Sequence, residues 1–475
     1  MARINTNVAA LSAQRGLAKS QRSLSETLQR LSSGLRINRG ADDPAGLIAS
    51  EGLRSELSGI NQAIDNSSRA SNVIATTEGA LGEVANLLLN IKSLVVQAAN
   101  TGALSQEEIQ ANQLQVDSAI ASVTRISNTT TFAGLKLING SLDYLTSGVS
   151  AAAIKAVQIN QANFGTAATI PVNVNVLTSG QQASLRFTGS SIASSVTLEI
   201  AGNDGVDVLT FTSGTKASAI AFAINGIGGS TGVTASAFSA TPASGIIIRS
   251  SGYGSHSFVS VKAQSGTFAT EDLAANTVQR TAGVDAVATI NGALTVGDGL
   301  DLKINTTALD MQLTLDTTFG ANATSFTITG GGAKFQLGPQ VTSNQQVSIG
   351  IQSVAASKLG DSNIGFLNDI VTGGGSTLVG GNSSSASKII EKAIRQVAVL
   401  RGRLGAFEKN TLQTNVNSLN VALENVTSSE SSIRDADFAK ETSELTRAQI
   451  LTQAGTSVLA TANSTPQSVL SLLQR

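Results

Sequence analysis

The chain has 475 residues, with no Cys, no Trp, one His, and 31 Lys+Arg against 32 Asp+Glu for a formal net charge of -1. That inventory excludes thiol catalysis, disulfides and thiolate or multi-histidine metal sites, and it supplies no bulk field toward nucleic acid or an anionic membrane. Charged residues are only 13%, about half the share in an average soluble domain, so little like-charge repulsion opposes close packing of identical copies.

The opening stretch MARINTNVAALSAQRG is broken by Asn5, Thr6, Asn7 and Gln14. It lacks the apolar core of a cleaved signal peptide, and no uninterrupted run of about 18 apolar residues follows anywhere. The chain is expected to be cytoplasmic or exported by a route that needs no cleaved leader. Leu17, Leu24, Leu28, Leu31 and Leu35 are spaced as a coiled-coil seam. Gly34 and Gly40 loosen the backbone, and in GADDPAG Asp43 reads as an N-cap with Pro44 at the first helical position. No proline intervenes before Pro171. The apolar series Leu57, Ile60, Ile64, Leu81, Leu88 and Ile91 predicts one long helix from Pro44 to about Ala99. Ser105 and Glu108 form a capping box for a third helix. TTTFAGLKLINGS then predicts a hairpin turning at Asn139-Gly140.

Residues from about Ser141 to Ser384 are rich in Gly, Ser and Thr, with short β-branched runs. Turns are expected at Asn203-Asp204-Gly205 and Asn291-Gly292, and a short helix over Lys216–Asn225. Two subdomains are expected, near 180–280 and 284–355. The C-terminal region mirrors the N-terminal one. Val397, Leu404, Leu419 and Leu423 belong to a helical stripe, which Leu445, Leu459, Leu470 and Leu473 prolong weakly. The fold class is α+β: a long antiparallel helical bundle or coiled coil from both ends, with a β-rich insert between them.

Fully burying one Leu is worth about 1.5–3 kcal/mol, so these stripes require cover. The opposite arm is the simplest cover. The outermost segments, about 1–34 and 435–475, are short and weakly apolar, and such helices are marginal in water. They are expected to be disordered in the monomer and to order when copies pack laterally, giving a helical filament where the rotation does not close. An ordinary long coiled coil within one molecule, or a dimeric stalk, satisfies the periodicity too.

No catalytic constellation is apparent. Asp42 and Asp43 suit helix capping better than acid–base work. The glycine runs at 330–332 and 373–375 lack the phosphate-loop pattern. No HExxH accompanies His256. Neither a cofactor nor a metal is expected.

LSETLQRLSSGLRINRGADDPAGLIASEGLRSELSGINQAIDN closely resembles the N-terminal core of bacterial flagellin, and SSIRDADFAKETSELTRAQILTQAGTSVLATANSTPQSVLSLLQR resembles its C-terminal core. SAIAFAINGIGGSTGVTASAF looks like the small repeat of flagellin and hook-associated inserts, and AKFQLGPQ like the strand leading back to the helical core. The resemblance implies a secreted, non-enzymatic subunit that polymerises with itself into the extracellular filament. Its inner tube would come from 1–43 and 435–475, its outer tube from 44–140 and 384–434, and its surface insert from 141–383. A spoke between tubes would use Arg36, Arg39, Asp42, Asp43, Pro44, Asp435 and Asp437. Partners implied are an export chaperone on Ile433–Arg475 and the filament cap and hook-associated proteins. Recognition by the animal Toll-like receptor is expected to be weak. Leu94 and Gln97 are kept, but Leu89-Asn90 replaces the usual Gln-Arg and Asn112 stands where Glu is common. A hook–filament junction protein of the same family and an extracellular coiled-coil adhesin are the alternatives.

Overall fold

The structure, a computed structural model, describes residues 6–238 and 245–473, with side chains as far as Thr465. The helices are α1 (Val8–Ser33), α2 (Pro44–Ala98), α3 (Gln106–Thr129), α4 (Ala217–Gly226), α5 (Gly228–Thr231), α6 (Ser383–Phe407), α7 (Thr414–Arg434) and α8 (Phe438–Leu473). The chain divides into two compact units. One holds residues 6–69, Gln336–Val341 and 411–473, and the other holds 70–335 and 342–410. The division cuts through α2 rather than falling at Pro44.

Capping sets the helix boundaries. Asn7 accepts the Ala10 N–H at the start of α1. Gly34, at φ +72°, ends α1 and donates its N–H to the Arg30 carbonyl at 2.8 Å. Asp43 accepts the Gly46 N–H at 2.9 Å, as an N-cap before Pro44 should. Ser105 and Glu108 satisfy each other's N–H groups at the start of α3. Between α6 and α7 the helix widens into a π turn, Glu408–Gln413. Leu404 and Leu412 are both buried although eight residues apart. The turn absorbs the residue by which that step exceeds a heptad.

In the first unit, Ile60 and Ala63 of α2 pack with Leu419 of α7, flanked by Ile64 and Leu423. Leu57 is half-buried. In the second unit, Leu81, Leu88 and Ile91 of α2, Val116 and Ile120 of α3, and Val397 and Leu404 of α6 are all buried. α2 is long and apolar enough to cross a membrane by length and composition, but these residues are already committed to the core. Lys92 of α2 pairs with Glu391 of α6 at 3.2 Å.

The hairpin after α3 pairs Thr131–Phe132 with Leu135–Lys136. Its turn is Ala133-Gly134, both at positive φ, and not the expected Asn139-Gly140. Phe132 faces Leu135 across the two-residue loop, a register that only a turn with two left-handed residues closes. Asn139 instead accepts the Ser141 N–H with its side chain.

The insert contains two β cores. One is enclosed by a three-stranded sheet (Gln182–Phe187, Ile246–Tyr253, Val233–Ala237), a four-stranded sheet built on Val196–Ala201 and Phe258–Ser265, and α4. Ile220 and Ile224 of α4 point inward, as the sequence predicts. The other lies between a five-stranded sheet that includes Ile170–Thr178, Val287–Ile290 and Ala323–Gly331, and a four-stranded sheet that includes Ile154–Ala162, Asp301–Asn305 and Leu309–Leu315. This second core therefore does not begin near 284. It also takes Tyr144–Ser147, Ile154–Ala162 and Ile170–Thr178 from ahead of the first core, so the first is nested inside the second. Pro171 and the asparagines at 173 and 175 mask a strand whose Val172, Val174 and Val176 are buried.

Candidate assembly surface

α1 and α8 run antiparallel along each other. Asn7 donates from Nδ2 to the Ala462 carbonyl at 2.7 Å. Gly455 sits against Leu17, where an added Cβ would lie 3.3 Å from Leu17 Cδ1. Arg30 pairs with Glu441 at 3.3 Å. Leu35 bridges Asp435. The inward positions of α1 are Ala10, Ala13, Leu17, Ser20, Leu24, Thr27 and Leu31, and those of α8 are Glu441, Leu445, Ala448, Thr452, Gly455 and Leu459. Steps of three and four alternate on both helices, as in a coiled coil. Small residues alternate with leucines from Leu17 to Leu31 of α1, and the glycine at 455 makes room for Leu17.

Two seam assignments change. Leu28 is 49% exposed, and the neighbouring Thr27, 5% exposed, takes the inward position and back-bonds to the Ser23 carbonyl. Leu35 lies past the end of α1 and pairs as a strand residue. Leu470 and Leu473 belong to the backbone of α8, but their side chains lie outside the described residues.

A pair of helices has one shared seam and leaves the rest of each surface open. Val8, Leu11 and Leu28 of α1, and Phe438, Ile450, Leu451 and Val458 of α8, are exposed. Ile450 and Leu451 line a shallow groove with Ser443, Thr446 and Arg447. Ile450 and Leu451 stand side by side among these exposed apolar side chains.

The segment between α1 and α2 is stitched to the end of α7. The Arg36 N–H donates to the Arg434 carbonyl at 2.7 Å, its guanidinium reaches the Ile433 carbonyl, and the Ala436 N–H donates to the Gly34 carbonyl at 2.9 Å. Asp42 accepts the Asn38 and Arg39 N–H groups at 3.0 and 2.9 Å. These bonds, that from Arg39 first, hold its carboxyl below the usual range. Arg39 donates to Gln29 at 2.5 Å. Asp435 accepts from Ser431 at 2.6 Å, and Asp437 caps α8 by accepting the Ala439 and Lys440 N–H groups.

The bacterial flagellin N-terminal helical region matches residues 4–143, the C-terminal helical region matches 387–473, and the flagellin hook IN motif matches 197–252. A flagellin of Salmonella rubislaw is 32% identical, with 99% of each chain covered. The B-type flagellin of Pseudomonas aeruginosa is also 32% identical over 99% of each chain. The chain belongs to the flagellins. A flagellar hook associated protein-3 of Legionella pneumophila is also similar, at 12% identity, over 81% of this chain and 98% of that one, with a TM-score of 0.32. This flagellin is a structural subunit of the bacterial flagellar filament and serves motility, and neither alternative reading is favoured. The hook IN motif falls within the nested β core.

Of the residues matched to the flagellin receptor patch, Leu89, Asn90 and Gln97 are exposed and Leu94 is half-buried. Asn112 is 6% exposed, so it is not a surface residue, and its Nδ2 has no partner among the described residues. Two features of this flagellin carry no sequence signal. Gln113, buried in α3, donates to the Ile370 carbonyl and accepts the Leu378 N–H, both at 2.8 Å, clamping the loop before α6. Pro339 seats against Gly59 of α2, where a Cβ would come within 2.9 Å of the proline ring.

Proposed function

We propose that α1 and α8 form the inner assembling layer of the filament and that their exposed apolar faces are covered by the same helices of neighbouring subunits. The observation that carries this reading is the single shared seam of the pair, which leaves Ile450, Leu451, Val458, Leu11 and Leu28 in water. Residues 44–140 with 384–434 form the outer layer, and 141–383 the surface insert. Arg36, Arg39, Asp42, Asp43, Pro44, Asp435 and Asp437 form the junction between layers. The segment 433–475 docks the export chaperone before assembly through the same exposed Ile450, Leu451 and Val458, so that chaperone and neighbour compete for them. The filament cap and hook-associated proteins meet this surface at the filament ends. The subunit is secreted and works without catalysis. Leu89 and Asn90, in place of a planar five-donor arginine, make it a weak ligand for the Toll-like receptor.

Trimming about 30 residues from either end, the length of α1 at ~1.5 Å per residue being roughly 40 Å, abolishes sedimentable fibres and leaves the insert folded. Fibres that persist after both trims contradict the reading. So does hydrogen exchange in which the amides of α1 and α8 are no better protected in the filament than in the full-length monomer.

A further inference from the structure

The insert leaves and re-enters the helical part of its unit at one half-buried polar cluster. Asp143 and Tyr144 lie where the chain leaves, and Ser348 and Gly350 where it returns. The Tyr144 hydroxyl accepts the Ala162 N–H at 2.9 Å, and Ser348 Oγ donates to the Ala162 carbonyl at 2.8 Å. The Gly350 N–H donates to the Asn160 carbonyl at 2.9 Å. Gly350 packs so tightly that a Cβ would come within 2.5 Å of the Ile159 carbonyl and 3.0 Å of the Tyr144 ring. One side chain of α6 meets this cluster from the other side. Arg403 Nη2 donates to the carbonyls of Asn160 and Gly350 at 3.3 and 3.4 Å, thus touching both the outgoing and the returning segment. Asn160 in turn donates from Nδ2 to Asp310 at 3.0 Å. The charged groups acting on the cluster are Asp143, Asp310, Lys358 and Arg403 itself.

We infer that Arg403 is a positioning residue that fixes the root of the surface insert on α6. Its Nη2 carries two N–H groups and lies one bond farther from the backbone than a lysine Nζ, so with the carbonyls already at 3.3 and 3.4 Å a lysine falls short of both. Its charge offsets the burial of Asp143, whose carboxyl is raised above the usual range by desolvation and drawn back by Arg403. The inference does not depend on how α1 and α8 assemble, because the cluster and its test lie wholly outside those helices.

The test uses the full-length protein carrying Arg403→Met or Arg403→Lys. Hydrogen exchange is followed in peptides covering 343–352 and 183–278, and the Asp143 carboxyl is titrated by carbon NMR with Asp143→Asn as the assignment control. In Arg403→Met the Asn160 carbonyl that accepts the Gly350 N–H loses its charged donor, and the Gly350 amide should exchange roughly tenfold or more faster, the fold-change of one lost hydrogen bond to a charged group. The nested core over 183–278 should be unchanged, and Asp143 should titrate higher. Arg403→Lys should restore the Asp143 titration but not the Gly350 protection. Gly350 exchange within twofold of the parent (about the scatter of such ratios), or an unmoved Asp143 titration, overturns the inference. Should Arg403→Met fail to fold, the lysine variant decides alone: full protection at Gly350 would refute the two-carbonyl role.

Discussion

Replacing Ile450 and Leu451 together by serine separates the filament from the subunit. The two side chains are 62% and 48% exposed in the single chain, so the subunit itself should change by no more than about 0.5 kcal/mol, as at ordinary surface positions. Covering the exposed fractions in a filament would contribute up to about 1.6–3.3 kcal/mol, taking 1.5–3 kcal/mol for full burial of each side chain. At one decade per 1.4 kcal/mol, the critical concentration for polymerisation should rise roughly 10- to 250-fold. The assay is sedimentation of filaments across a concentration series, beside thermal melting of the subunit by circular dichroism. Ala448→Asp is the contrasting variant, because Ala448 is 3% exposed in the shared seam. It should disturb the α1–α8 pair itself. A critical concentration for the serine pair within about threefold of the parent, or less than 0.7 kcal/mol, would mean that this face stays wet in the polymer, and the assembly reasoning would be refuted.

Gln113→Leu should cost about 2–6 kcal/mol in urea unfolding, because it strands the Ile370 carbonyl and the Leu378 N–H at about 1–3 kcal/mol each. Gly59→Ala gains about 1 kcal/mol of helix propensity but meets Pro339 at 2.9 Å, an overpacking cost of about 1–3 kcal/mol. A net loss that Pro339→Ala relieves is expected, and a net gain would show that Pro339 moves aside freely. Asp316 is held far below the usual carboxylate range by Lys155, 2.7 Å away, and by Thr318. A depressed carboxyl stabilises the fold above its unfolded value of 3.8 and loses that contribution as pH falls through its lower folded value. The second β core should therefore be insensitive to this group at neutral pH and weaken only in acid. Lys155→Met should move the acid transition of that core upward, as read by near-UV circular dichroism.

Helical periodicity was legible because it is local. Ile60, Leu81, Leu88, Leu404 and Leu419 stand at core positions that spacing alone predicts, and Asp43-Pro44 and Ser105/Glu108 cap where their chemistry says they should. The choice between Thr27 and Leu28 was not legible. Adjacent residues differ by only about 100° around a helix (3.6 residues per turn), and the partner α8, more than 400 positions away in sequence, decides which one is covered. The nesting of the β cores was hidden for a related reason. Strand Ile154–Ala162 pairs with Leu309–Leu315 through two register shifts, and no local pattern reports a partner so distant. Gln113 and Arg403 looked like ordinary polar residues on helices. Only segments distant in sequence, returning across these helices, bury Gln113 and half-bury Arg403.

The nested arrangement has a consequence for how the surface of such a filament can vary. The first core enters and leaves the second at a single pair of residues: Gln181 and Val284 exchange N–H···O bonds of 2.7 and 3.0 Å. Beside that pair, Ser255 donates to Asp285 from its N–H and hydroxyl at 2.9 and 2.5 Å, and Tyr253 packs against the second core. A gene could exchange, enlarge or discard about a hundred residues there while the strands on either side still meet in their old register. The nested core is thus separable, like a card in a slot, once those few contacts are given up.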